Sequence, residues 1–153
     1  MIKILAVLAV LGCALAQGQG QEPPFLQGIS AALKQQFIAI QNNGALTDAQ
    51  AEAQTLAWAN TLPAGQKKVF FDLDAQGKQY AQQGRAQQAA AVARLSAAAQ
   101  AFDKQMQALA DNKSIPRAQK AQQIETLQKS APAPVQKELQ GVFATLSQQQ
   151  GGR

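Results

Sequence analysis

Two short polar stretches carry the side chains of this sequence that are best suited to hold a metal ion. Amide, hydroxyl and carboxylate oxygens are hard donors, which suit Ca²⁺ or Mg²⁺ better than softer metals. Each stretch contains one carboxylate, so we expect dissociation constants no better than about 10⁻⁴–10⁻³ M. The alternative is that these residues only end and begin helices. The candidate ligands are Asn42, Asn43 and Asp48 in the first stretch, and Asp111, Asn112 and Ser114 in the second.

A six-residue segment, Asp72–Gly77, superficially resembles the start of an EF-hand calcium loop. Such a loop needs oxygen ligands at positions 1, 3, 5 and 12, glycine at position 6, and a bidentate glutamate at position 12. Counting from Asp72, position 12 is Gln83, which cannot offer a bidentate carboxylate. The neighbouring Phe70 and Phe71 also fit a helix. We therefore predict a helical stretch with solvated aspartates here.

The side chains that enzymes use most often for acid–base and nucleophilic chemistry are scarce in this chain. The sequence contains no histidine and a single cysteine, Cys13, so the commonest general base is missing and only one thiolate nucleophile could form. Asp72 and Asp74 are the closest pair of carboxylates, but residues two apart on a helix point in different directions. The sequence predicts a protein that is not an enzyme.

Residues 1–16 have the pattern of a secretory signal peptide. The apolar segment Ile4–Leu15 is too short to cross a bilayer, which takes about 20 residues, and Ala14–Ala16 forms a small-x-small cleavage site. We expect a secreted, extracellular protein that begins at Gln17. It would contain no cysteine and therefore no disulfide. A bacterial lipobox that ends at Cys13 is the alternative.

The charged residues are too dispersed to indicate a nucleic-acid partner. The formal net charge is +5, from 14 lysines and arginines against 9 acidic residues. Lys67 and Lys68 are the one adjacent basic pair, and no aromatic residues alternate with basic ones as single-strand binding requires. The chain is instead rich in glutamine, which keeps helices soluble with little charge.

Helical spacing and capping signals predict an all-α bundle of about five to six helices. Leu33, Phe37 and Ile40 share one face of a helix over 30–41. Thr47 and Gln50 form a capping box that opens the next helix, and Pro63 fits the first turn of the one that follows. Further helices are predicted to begin near Pro116 and Val135.

The segment Ala64–Ala110 contains no proline and much alanine, which predicts one long helix. Gly77 and Gly84 each cost about 1 kcal/mol relative to alanine, so a kink or break is expected over Gln76–Gly84. An apolar stripe with heptad-like steps runs along its second half and would either pack inside the domain or support self-association. The stripe consists of Val92, Leu95, Ala99, Phe102, Met106 and Leu109.

The chain is predicted to have four parts. The signal peptide, 1–16, is followed by a flexible Pro/Gly/Gln leader, 17–28, whose Phe25 and Leu26 can dock on the domain. A single helical domain, 29–146, comes next. The polar tail, 147–153, is expected to be disordered.

A succession of short motifs runs along the chain after residue 22. The motifs are Pro23–Leu26, Thr47-Asp48, Trp58, Leu62-Pro63, Gln119–Gln122 with Ile124 and Leu127, Pro132, and Val135 with Lys137–Leu139. In this order they resemble the nematode SXP/RAL family of secreted antigens, also described as an anisakid-allergen-like cation-binding domain. The resemblance implies two EF-hand-like helix pairs joined by a long central helix, secretion from nematode tissues, antigenicity, and affinity for divalent cations. This chain departs from the family in having less Glu, Asp and Lys and more Gln and Ala.

Two functions remain open from the sequence. The first is a secreted, non-enzymatic antigen-type protein with weak Ca²⁺ or Mg²⁺ binding at the two polar stretches. The second is a carrier of small apolar ligands or lipid, which would need a pocket lined by Phe37, Trp58, Phe70 and Phe102. A bacterial periplasmic helical protein is the alternative for the source of the chain.

Overall fold

The computed structural model describes residues 22–151, and that range is helical with no β-strand. The all-α prediction is confirmed for these residues, while the EF-hand-like pairing of the helices stays a prediction. No described helix combines the length and the apolar character that a bilayer crossing requires. A 3₁₀ turn at Pro24–Leu26 precedes α1 (Ala31–Asn42), α2 (Asp48–Asn60), α3 (Ala64–Val92), α4 (Ala97–Asp111), α5 (Arg117–Ser130) and α6 (Ala133–Gly151).

The predicted segment boundaries can be compared with the structure at three places. The predicted signal peptide, 1–16, and residues 17–21 of the leader lie outside the described residues. The rest of the leader contains Phe25 and Leu26, both of which are buried. Helix α6 runs to Gly151, past residue 146, where the predicted helical domain ends, and into the predicted tail.

The chain divides into two compact units, which meet within α3 between Ala81 and Gln82. Unit 1 contains the 3₁₀ turn, α1, α2 and the start of α3. Unit 2 contains the end of α3 together with α4, α5 and α6. The predicted single domain, 29–146, spans both units, and α3 is continuous through Gln76–Gly84, where a kink or break is expected.

Four aromatic side chains form the centre of unit 1. The Phe25 ring lies with its centroid 5.4 Å from those of Phe37 and Phe70 and 6.1 Å from that of Trp58, in edge-to-face contact with all three. The indole N–H of Trp58 donates to the Leu33 carbonyl at 2.9 Å, which satisfies the one polar group of this buried side chain. The residues before α1 are therefore part of the core.

Helices α1 and α2 begin at side-chain caps, as the sequence predicts for α2. The Ser30 hydroxyl accepts the Leu33 N–H at the start of α1. At the start of α2, the Thr47 hydroxyl accepts the Gln50 N–H at 3.2 Å, and the Gln50 side chain accepts the Thr47 N–H at 3.0 Å. Each such cap is worth about 1 kcal/mol.

The predicted single helix over Ala64–Ala110 is wrong, because the chain breaks between α3 and α4. Ser96 caps α4 by accepting the Ala99 N–H at 3.2 Å. The Ser96 N–H in turn donates to the Glu138 carboxylate at 2.8 Å, and the Gln100 amide donates to the carbonyls of Ala93 and Leu95. Side chains thus satisfy the backbone groups that the break exposes.

Residues of the predicted apolar stripe pack in the core of unit 2. Val92 and Ala99 are buried there, and Leu95 and Phe102 pack against the same cluster. Their partners in the cluster are Ala131, Val135 and Leu139. The stripe therefore forms intramolecular contacts. This favours packing inside the domain over self-association through the same residues.

Replacing Gly84 in α3 with alanine should stabilise the protein. A Cβ atom built at Gly84 meets nothing within 4 Å, and alanine lowers the conformational entropy cost of the helix. We expect the free energy of unfolding to rise by about 0.5–1 kcal/mol in urea titrations followed by circular dichroism. Gly28 is the matched control: its φ is +75°, so Gly28→Ala should lower stability by about 1–2 kcal/mol. Shifts of the same sign in both variants would contradict this explanation.

Candidate functional site

The two predicted polar stretches are the turns between α1 and α2 and between α4 and α5, and their backbones are alike. Asn43 caps the end of α1 with φ −78° and ψ 94°, and Asn112 caps the end of α4 with φ −69° and ψ 102°. We call residues 42–48 the first turn and residues 111–117 the second turn. The two helix ends therefore have matching geometry, although their sequences differ.

Each turn uses its asparagine side chain to hold its own backbone. The Asn43 Oδ1 accepts the Ala45 N–H at 3.1 Å, and the Asn112 Oδ1 accepts the Ser114 N–H at 3.0 Å. This is the local side-chain-to-backbone bond for which asparagine is favoured in turns. One of the two lone pairs of each amide oxygen is thereby occupied, and the oxygen is fixed towards the protein chain.

The carboxylates of the two turns also interact with other groups of the protein. Asp48 is the first residue of α2 and is only 5% exposed, so its negative charge lies at the positive end of the helix dipole. Both carboxylate oxygens of Asp111 accept from the Arg85 guanidinium, at 2.5 and 3.3 Å. A cation at the second turn would have to compete with this bidentate ion pair.

The remaining predicted ligands, Asn42 and Ser114, add no further carboxylate to either turn. Asn42 is the last residue of α1 and is exposed. Ser114 is exposed, and its N–H is the donor to Asn112. Among residues 22–151, no group of three or more His, Cys, Asp or Glu side chains comes together where it could hold a metal ion.

The ligand that anchors calcium in an EF-hand loop is missing from both turns. If Asn43 and Gly44 are taken as positions 5 and 6 of such a loop, position 12 is Gln50, and the corresponding residue of the second turn is Gln119. Neither provides the bidentate carboxylate of position 12. The Gln50 side-chain oxygen is moreover engaged with the Thr47 N–H in the capping box. The residues present do not fit a high-affinity calcium site.

The segment Asp72–Gly77 lies inside α3, as the sequence predicts, and is not a loop. Asp72 pairs with Lys68 at 2.6 Å and Asp74 pairs with Lys78 at 2.8 Å. The hydrogen bond to Asp74 raises the pKa of Lys78 above its ordinary value. The two aspartates therefore have separate partners and do not form a joint acid–base pair.

Three of the four residues that the carrier hypothesis places around a pocket pack against one another in the core of unit 1. The rings of Phe37 and Trp58 lie 4.7 Å apart and those of Trp58 and Phe70 lie 5.8 Å apart, with Phe25 packed against all three. Phe102 belongs to the core of unit 2. Unit 2 has a groove of about 600 Å³, open to solvent, whose lining includes Leu109, Leu127 and glutamines 119, 122 and 123.

Two features of the turns and their surroundings escape the sequence analysis. Arg85, the partner of Asp111, lies 26 residues away, and no local pattern links them. Asp103 is buried and accepts hydrogen bonds from the Gln88 and Gln107 amides. The four-residue spacing of Asp103 and Gln107 on α4 is a signal that could have indicated that pair.

Comparison with known proteins gives a consistent result over nearly the whole chain. A family model described as "SXP/RAL-2 family protein Ani s 5-like, metal-binding domain" matches residues 1–152. The chain is 30% identical over 140 residues to the SXP/RAL-2 family protein Ani s 5 of Anisakis simplex, covering 90% of this chain and 91% of that protein. It is 35% identical over 120 residues to the OV-17 antigen of Onchocerca volvulus, covering 76% and 72% respectively. No solved structure matches the chain.

Proposed function

The chain belongs to the SXP/RAL-2 family, and on that premise we propose that it is a secreted, non-enzymatic antigen-type protein whose affinity for Ca²⁺ and Mg²⁺ is no better than about 10⁻⁴ M. The observation that carries the proposal is that the oxygens of both turns already serve the fold. A cation would have to displace hydrogen bonds and an ion pair in order to bind.

The proposal of secretion is supported by the signal-peptide pattern of residues 1–16 and by the antigen name of one relative. Signal peptidase would cut after Ala16 and release a chain that begins at Gln17. The mass of the protein recovered from the culture medium tests this step. Retention of residues 1–16 in that protein would contradict it.

The proposal of a non-enzymatic role is supported by the side-chain inventory and by the separation of the carboxylates. The sequence contains no histidine, and its one cysteine lies in the predicted signal peptide. Asp72 and Asp74 are each paired with a lysine on their own helix. These two aspartates therefore do not form a pair that could share a proton-transfer step.

The cation affinity follows from the charge at each turn. The first turn has Asp48, and the second has Asp111, which is neutralised by Arg85. Calcium sites reach sub-micromolar affinity by surrounding the ion with several carboxylates. One carboxylate in each turn leaves most of the charge on the ion to be balanced by water and amide oxygens.

Calorimetric titration of the chain from Gln17 onwards with Ca²⁺ and Mg²⁺ tests the affinity. We expect no saturable heat below about 10⁻⁴ M cation, in keeping with weak extracellular sites. The double variant Asp48→Asn, Asp111→Asn is the control, because any heat that survives in it does not arise from the turns. Saturable binding at micromolar concentration that this variant abolishes would contradict the proposal.

A further inference from the structure

The first turn contains the sequence Asn43-Gly44, and the second turn contains Asn112-Lys113 at the same place. We propose that Asn43 is a modification site, at which spontaneous deamidation produces aspartate and isoaspartate. This inference goes beyond the proposed function, since it does not depend on cation binding or on secretion. It rests on the exposure of Asn43 and on the hydrogen bonds of the first turn.

The nucleophile of the reaction is the backbone nitrogen of Gly44. Within residues 22–151 the Gly44 N–H donates to no acceptor, so no hydrogen bond holds it in place. Gly44 also has no Cβ atom, so nothing on the residue shields this nitrogen from the Asn43 side chain. The nitrogen is therefore accessible for attack.

The electrophile is the side-chain carbonyl carbon of Asn43. Asn43 is exposed and lies outside α1. Its Oδ1 accepts the Ala45 N–H at 3.1 Å, so the side chain folds around Gly44 and the hydrogen bond draws electron density away from the carbon. The side-chain carbon of Asn43 is thus exposed, and the turn polarises it.

The reaction balances with water as its only co-reactant. The Gly44 nitrogen bonds to the Asn43 side-chain carbon, the side-chain amide nitrogen leaves as ammonia with the proton of the Gly44 N–H, and a succinimide ring forms. Water then opens the ring at either carbonyl and gives aspartate or isoaspartate. The net change is asparagine plus water to acidic product plus ammonia.

The other asparagines of the chain lack one of these conditions. The nitrogen that follows Asn42 donates to the Ile40 carbonyl, and the nitrogen that follows Asn60 donates to the Trp58 carbonyl. Asn112 caps its helix with dihedral angles like those of Asn43, but the residue that follows it is Lys113, which has the Cβ atom that glycine lacks. The second turn is therefore an internal control for the first.

The modification changes the charge and the backbone of the first turn. Either product lowers the net charge by one and places a second carboxylate in the turn that contains Asp48. Isoaspartate also adds a methylene group to the backbone, which displaces the Asn43 Oδ1 from the Ala45 N–H. The first turn would then lose the hydrogen bond between its asparagine side chain and its own backbone.

The test is incubation of the full protein at mildly alkaline pH, followed by peptide mapping with mass spectrometry. We expect the peptide that contains Asn43 to gain the mass of deamidation and to split into aspartate and isoaspartate forms, while the Asn112 peptide does not change. Gly44→Ala should slow the reaction by about tenfold, which corresponds to about 1.4 kcal/mol in activation free energy. Gly44 has no positive φ, so alanine fits its backbone conformation.

A reciprocal variant makes the test independent of any single substitution. Lys113→Gly gives the second turn the Asn-Gly pair of the first, and we expect Asn112 to become reactive in this variant. The proposal is overturned if Asn43 does not deamidate, or if it reacts no faster than Asn112 in the unmodified sequence.

Discussion

Phe25→Ala should lower the free energy of unfolding by about 3–5 kcal/mol, the usual cost of removing a buried phenylalanine ring. Phe25 is 0% exposed and contacts Phe37, Trp58 and Phe70. Its loss would leave a cavity at the centre of unit 1. Denaturant unfolding followed by Trp58 fluorescence measures the change, because the indole lies against the substituted ring.

Tyr80→Ala is the control for Phe25→Ala. Tyr80 is 66% exposed, so its replacement should change stability by no more than about 0.5 kcal/mol. If Phe25→Ala cost no more than Tyr80→Ala, the residues before α1 would not belong to the core. The prediction would then be wrong.

Asp103→Ala should destabilise unit 2 by about 1.5–3 kcal/mol, the range for hydrogen bonds to a charged group. Asp103 is 5% exposed and accepts from the Gln88 amide at 2.8 Å and from the Gln107 amide at 2.5 Å. Gln88 lies on α3 and Asp103 on α4, so the carboxylate joins two helices. Without it, the Gln88 amide loses its partner on α4.

Asp103→Asn and Asp72→Ala are the controls for this prediction, and both are measured by urea unfolding. Asparagine keeps one acceptor oxygen and nearly the same volume, so its cost should be smaller than that of alanine. Asp72 makes an exposed ion pair with Lys68, which is worth about 0.3–0.5 kcal/mol. Equal costs for Asp103→Ala and Asp72→Ala would show that the Asp103 carboxylate does not hold the two helices together.

The features that the sequence predicts well are local ones. The Thr47–Gln50 capping box and the helix start after Pro63 depend on residues three or four positions apart, and both are present. The docking of Phe25 and Leu26 also follows from two apolar residues in a polar segment. Such signals are contained in a few consecutive side chains.

The break between α3 and α4 could not be predicted in the same way. Val92 and Leu95 continue the apolar stripe across it, and alanine on both sides favours helix. The break is held by Glu138, which lies 42 residues from Ser96. Contacts between distant segments override a local preference for helix here.

The sequence placed the candidate ligands in two turns between helices, and the structure has both turns. What the sequence does not reveal is how the oxygens are used. Asn43 and Asn112 have suitable side chains for a cation, but their Oδ1 atoms accept hydrogen bonds from backbone N–H groups. The Asp111 carboxylate pairs with Arg85. Counting oxygen donors therefore overstates the capacity of such turns to bind an ion.

We expect the oxygens of both turns to keep their contacts within the protein when calcium is added, and backbone amide resonances measure this. The Ala45 and Ser114 N–H groups donate to Asn43 and Asn112, so their chemical shifts report on both turns. During calcium titration by nuclear magnetic resonance, we predict no saturable shift of either resonance below about 10⁻⁴ M. A shift of either one that saturates at micromolar calcium would contradict the account.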